Sequence, residues 1–127
     1  MEEKNINKID KVNFVQKFSL FYDHCKPRIV GEFNDNYVKV SKHKGEFVWH
    51  CHETEDELFM VTKGKLCIKL RDKDIWVEPG EFVIIPRGVD HNPVAEEETY
   101  IVLIEPKSTI NTGDVEDKLT HKELEWI

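Results

Sequence analysis

One short run constrains this chain more than any other: Trp49-His50-Cys51-His52-Glu53-Thr54-Glu55-Asp56-Glu57-Leu58-Phe59. On an extended chain alternate side chains share a face, so His50 and His52 project together. The preceding Phe47-Val48-Trp49 is β-branched and aromatic, which favours a strand. Acidic and polar residues follow, then Leu58 to Thr62 reads as the next strand. A hairpin between them returns Glu57 to the two imidazoles. Two imidazoles and a carboxylate suit a first-row divalent metal. Cys51, between the histidines, points away and is read as a non-ligand.

A second run, Gly80-Glu81-Phe82-Val83-Ile84-Ile85-Pro86-Arg87-Gly88-Val89-Asp90-His91, ends an apolar strand in a Pro/Gly turn that presents His91. Together the two runs resemble the cupin superfamily. Its first motif, G-x5-H-x-H-x3,4-E-x6-G, is met by Gly45, His50, His52, Glu57 and Gly64. Its second, G-x5-P-x-G-x2-H-x3-N, is met by Gly80, Pro86, Gly88 and His91. Two departures stand out: four residues, not five, separate Gly45 from His50, and Ala95 replaces the motif's Asn. Neither touches the presumed ligands. The resemblance implies a divalent metal, zinc, iron, manganese or nickel, on His50, His52, Glu57 and His91. Three imidazoles and one carboxylate leave coordination positions open, which implies chemistry or ligand binding, since a structural site is closed.

The rest of the chain fits an all-β protein. Strands are expected from Pro27 to Phe33, Tyr37 to Ser41, Lys65 to Leu70, Ile75 to Val77, Phe82 to Ile85 and Thr99 to Ile104. Turns are expected at Asn34-Asp35-Asn36, Lys42 to Gly45, Lys63-Gly64, Arg71 to Asp74 and Glu78 to Glu81. Phe82 to Ile85 is apolar on both faces and reads as a central strand. Glu96 to Glu98 reads as a hairpin tip. Between Lys65 and Leu70, Leu66, Ile68 and Leu70 share one face, and Lys65, Cys67 and Lys69 the other. Many short strands mean a sandwich or barrel, and the resemblance selects the double-stranded β-helix, or jelly-roll barrel. Apolar residues at Ile9, Val12, Val15, Phe18 and Phe21 suggest a short N-terminal helix after a frayed start over 1–8. The expected division is an N-terminal segment 1–25 packed on the barrel, a barrel 26–106 and a tail 107–127. In the tail Asn111 to Asp114 reads as a turn, and Thr120 to Glu123 as a capping box opening a helical turn.

Composition narrows function. The 127 residues suit one domain, and 34% charged against 39% hydrophobic describes a globular chain. A net charge of −7 argues against nucleic acid. No apolar run reaches membrane-spanning length, and the polar start lacks the apolar stretch of a signal peptide, so the expected location is cytoplasmic. Three cysteines, Cys25, Cys51 and Cys67, read as reduced thiols. If the histidines face inward, Trp49, Cys51, Leu58 and Met60 face outward, an apolar patch covered by the N-terminal segment or a second subunit; a homodimer is expected. His24, His43 and His121 read as surface residues. Arg87 is a candidate rim contact for an anionic substrate, and Lys39 or Tyr37 can enter the barrel mouth. Phe59, Val61 and Val48 are expected to wall the metal.

No nucleophilic triad or phosphate-cradling glycine loop appears. The expected function is therefore metal-dependent and directed at a small molecule. One form is a sugar-phosphate isomerase-like reaction using Lewis acidity; an iron-dependent dioxygenase is the alternative. A non-catalytic metal- or ligand-binding protein is the reading from another class. No catalytic residue beyond the metal set is assigned.

Overall fold

The computed structural model describes residues 9–127; the expectation of a frayed start over 1–8 lies outside them. Strand follows strand: α1 (Phe14–Phe18), β1 (Arg28–Phe33), β2 (Asn36–Glu46), β3 (Glu57–Lys63), β4 (Leu66–Leu70), β5 (Asp74–Val77), β6 (Phe82–Ile85) and β7 (His91–Pro106). All pairing between these strands is antiparallel, in the order β1-β2-β7-β3-β6, with β4 bridging β7 and β5. The long β7 is the spine. It pairs with β4 over His91 to Val94, with β2 over Val94 to Pro106 and with β3 over Tyr100 to Ile104. A strand shared in this way rolls the sheet into the jelly-roll barrel. Among the described residues no helix is long and apolar enough to cross a membrane.

Alternation sorts side chains into two layers. Facing inward, Phe59, Val61, Leu66, Ile68, Ile101 and Leu103 form the barrel core. On the outer face, Val40 and Val102 meet Phe18 and Phe21 of the N-terminal segment, with Met60 and Tyr100 packed against them. Each such buried side chain contributes about 1.5–3 kcal/mol. Phe18 stacks on Tyr100 with ring centroids 4.6 Å apart. The chain's own N-terminal segment thus covers part of the patch from which a second subunit was expected. Trp49 is half-buried beneath the Arg71 guanidinium, 3.8 Å from its ring centre.

Several local expectations fail, for reasons of pairing. Lys42 to Gly45 is no turn: β2 continues to Glu46 because β7 offers it a partner, and a bulge between His43 and Gly45 absorbs the irregularity. Gly45 takes φ +86° there. Residues 47–49 form no ladder; a single bridge joins His50 to His91. Glu57 does not return on a hairpin, since β3 pairs with β6 and β7. β6 is an edge strand, not a central one, with Phe82 60% and Ile84 52% exposed. Glu96 to Glu98 make no hairpin tip; they are exposed residues inside the continuous β7. Cys67 is buried on its own face. The helix is only five residues long, and Ile9, Val12 and Val15 are exposed. Thr120 to Glu123 start no helix; Thr120 Oγ1 instead accepts from Asp117 N–H at 3.0 Å. The tail's end returns beside β1, where Ile29 N–H donates to Glu125 O at 2.9 Å and Ile127 N–H to Ile29 O at 3.1 Å.

Candidate metal centre

One loop and two strand ends build the site. His50 and His52 lie on the loop before β3, Glu57 opens β3, and His91 opens β7. One ligand atom from each lies within 4.8 Å of all the others, and all four residues are buried. The loop is held by backbone: His50 and His91 exchange N–H···O bonds at 3.0 and 2.9 Å. Gly88 N–H donates to His52 O at 2.8 Å, and Arg87 N–H to Asp56 Oδ1 at 2.8 Å. The Pro86-Arg87-Gly88 turn therefore positions both halves of the ligand set.

Imidazole orientation is fixed in the same way. His50 Nδ1 and His91 Nδ1 each lie 2.8 Å from a backbone carbonyl, of Val48 and Val89 respectively. A carbonyl only accepts, so each Nδ1 carries the proton and each Nε2 turns a lone pair inward, as in metal-ligating imidazoles. His52 Nε2 and His91 Nε2 both lie 3.0 Å from the same oxygen, Glu57 Oε1. His52 Nε2 is buried without a hydrogen-bond partner despite that proximity. Lone pairs converging on a carboxylate ask for a cation between them. The donor set fits a divalent metal.

The electrostatics agree. Burial, with His91 adding to it, pushes His50 down to about 4, so it stays neutral. Burial alone would raise Glu57, yet the His52 and His91 imidazoles hold it well below the usual carboxylate range. His91 is raised, because Glu57 outweighs the opposing effect of burial.

Comparison with known proteins completes the picture. Residues 36–105 match the family model of the cupin domain. The chain belongs to the cupin-domain family. A cupin-2 domain protein of Shewanella frigidimarina is similar in structure, with a TM-score of 0.75 and 49% identity over 76% of this chain and 94% of that one. An uncharacterised protein of Bacillus subtilis (strain 168), YdbB, is 34% identical over 61% of this chain and 70% of its own length. A 3-hydroxyanthranilate 3,4-dioxygenase of Candida albicans is 31% identical over 52% of this chain, a match that spans 40% of the enzyme.

In this cupin the other expected residues scatter. Cys51 turns away from the site, its Sγ 3.6 Å from Asp114 Oδ2, and all three cysteines are unpaired. Phe59 and Val61 face inward, and the Phe59 ring lies 6.1 Å from that of His91. Val48 contributes its carbonyl. Arg87 is exposed and works through its backbone. His24 pairs with Glu98 at 2.7 Å on the surface, whereas His121 is half-buried. His43 is not a surface residue: it is buried, and burial, with His24 adding to it, pushes it down to about 4. It faces inward because the continuing β2 places it in register with Lys39 and Ser41. Lys39 also enters the interior, 1% exposed, and donates to Glu105 Oε1 at 2.9 Å; Tyr37 stays half-buried.

Two participants escape motif reasoning. Glu105 lines the cavity beside Glu57 and is 2% exposed. Its signal was strict alternation from Ile101 and Leu103. The tail turn is the other. Asp114 Oδ1 accepts from Cys51 N–H at 3.1 Å, and Asp114 N–H donates to Cys51 O at 3.1 Å. Gly113 sits so close that a Cβ there would lie 2.2 Å from Cys51 O and 3.0 Å from His50 Cδ2. The tail is a clamp on the ligand loop, and no sequence spacing announces it.

Proposed function

We propose that this cupin is a small-molecule enzyme that holds a divalent metal on His50, His52, Glu57 and His91. The observation that carries the reading is the convergence of four buried donors, two of which, His50 and Glu57, also line a small cavity. Such an ion supplies Lewis acidity toward a substrate oxygen and, if redox-active, electron transfer with dioxygen. The chain's own residues do the rest. Val48 and Val89 fix the imidazole tautomers, and the tail clamp holds the His50–His52 loop. Phe59 and Leu103 keep bulk water from one wall of the cavity.

Between the two reaction types, sequence similarity to a dioxygenase favours oxygen chemistry over isomerisation. The test is metal analysis of protein purified without added metal, followed by oxygen uptake with a panel of small hydroxylated aromatics and enediols. Iron, nickel or manganese together with substrate-dependent uptake is the result expected. Zinc as the sole bound ion, with no uptake, contradicts the dioxygenase form and leaves Lewis-acid chemistry. Protein that takes up no metal contradicts both.

A further inference from the structure

A groove of about 550 Å³ runs between the N-terminal segment and the outer face of the sheet, on the side away from the metal ligands. That size suits a small molecule, whose sites span roughly 300–1,000 Å³. Phe14, Phe18 and Tyr22 of the N-terminal segment wall the groove, and Lys42, Lys63 and Tyr100 of the sheet complete it. Alternation along β2 turns Lys39, Ser41 and His43 inward, so Val40 and Lys42 turn outward. Strand pairing then sets Lys42 on β2 and Lys63 on β3 on either side of Tyr100 on β7. Their Nζ atoms lie 4.7 and 5.1 Å from the centre of the Tyr100 ring.

Lys42 is the unusual member. It is 4% exposed, and its ammonium also lies 5.1 and 5.3 Å from the centres of the Phe21 and Tyr22 rings. It donates to Phe21 O at 2.7 Å, which occupies one of an ammonium's three N–H groups. Among the described residues no carboxylate oxygen comes within 4.0 Å of Lys42 or Lys63. Glu98 lies beyond that distance and is bonded to His24 Nε2 at 2.7 Å. A buried ammonium surrounded by rings and one carbonyl lacks the counter-ion that would offset its desolvation. In a chain of net charge −7, two such ammoniums at one apolar groove are a local reversal of sign, and an anion complements them. We propose that this groove binds a small organic anion with a flat apolar body, its charge on Lys42 and Lys63 and its body against Phe14, Phe18 and Tyr22. Tyr22 is 83% exposed, so such a body finds an open ring to cover. The site is separate from the metal centre and does not depend on it.

Two probes of one shape isolate the charge: naphthoate and naphthylmethanol, substituted at the same ring position and titrated calorimetrically into the purified protein. Naphthoate is expected to bind at least about tenfold tighter than the alcohol, the scale of one hydrogen bond to a charged group, and to weaken as salt rises. Lys63 is exposed, so Lys63→Met is expected to fold normally and to lose about fivefold of the naphthoate affinity, the scale of an exposed ion pair. Lys42→Met is expected to lose about tenfold or more. Both variants are expected to bind the alcohol as the parent does. A merely apolar surface binds the two probes alike. A carboxylate drawn to the metal instead leaves Lys63→Met at the parental affinity. Naphthoate affinity that falls as protein concentration rises assigns the groove to a second copy of the chain. Any of these three results, or no naphthoate binding, overturns the proposal. Should Lys42→Met fail to fold, the probe ratio and Lys63→Met still decide it.

Discussion

A carboxylate oxygen with two imidazole nitrogens 3.0 Å away holds lone pairs against one another unless a proton or a cation intervenes. At the residue scale this explains why His50, His52, Glu57 and His91 were legible in sequence: their chemistry depends on spacing along the chain. Gly113 was not legible, because its role depends on a contact across 62 positions with Cys51. Gly113 adopts φ +57° and has no room for a Cβ. Gly113→Ala is therefore expected to cost about 2 kcal/mol, read as a lower urea midpoint, and to lower metal affinity by displacing the His50 loop. Titration supplies a second prediction, for metal-free protein. His43 and His50 fold at about 4 against an ordinary value near 6.5. The unfolded chain therefore binds protons first, and stability is full above about 6.5 and falls toward pH 4. His91, raised by Glu57, works in reverse: its contribution is complete below about 6.5 and is lost as the pH rises through its folded value. Urea unfolding from pH 7.5 to 4.5 is expected to show declining stability. His43→Leu is expected to make the decline shallower; an unchanged slope contradicts the buried, neutral assignment.

Elements were legible as strands but not as neighbours. Leu66 to Leu70 and Phe82 to Ile85 were read correctly as strands because alternation and β-branching are local signals. Which strand lies at an edge is decided by pairing, and nothing within Phe82-Val83-Ile84-Ile85 reveals that, among the described residues, β6 has β3 alone as its partner. The polar run Glu96-Glu97-Glu98 looked like a turn because charge marks exposure, and an exposed stretch of a long strand carries the same mark. The short α1 belongs to the outer layer only: Phe18 packs on Val40, Val102 and Tyr100, while the metal ligands lie inside the barrel. Phe18→Ala is thus expected to cost about 3–5 kcal/mol and to lower the melting temperature while metal stoichiometry at 20 °C stays unchanged. Loss of metal in a still-folded Phe18→Ala protein would show that the two layers are coupled.

At the scale of the whole molecule, one rolled antiparallel sheet brings residues 50, 52, 57 and 91 to a common point, and a returning tail fastens the loop that carries the first two. The barrel was foreseeable from the two motifs; the clamp and the Lys39–Glu105 pair emerge only when β2, β7 and the tail are assembled. The most direct measurement is elemental analysis of the purified protein beside its His52→Ala, His91→Ala and Glu57→Gln variants, with circular dichroism as the check on folding. About one first-row divalent ion per chain is expected in the parent, and a loss of most of it in each folded variant. Full metal content in all three variants, or none in the parent after incubation with divalent ions, would contradict the metal centre.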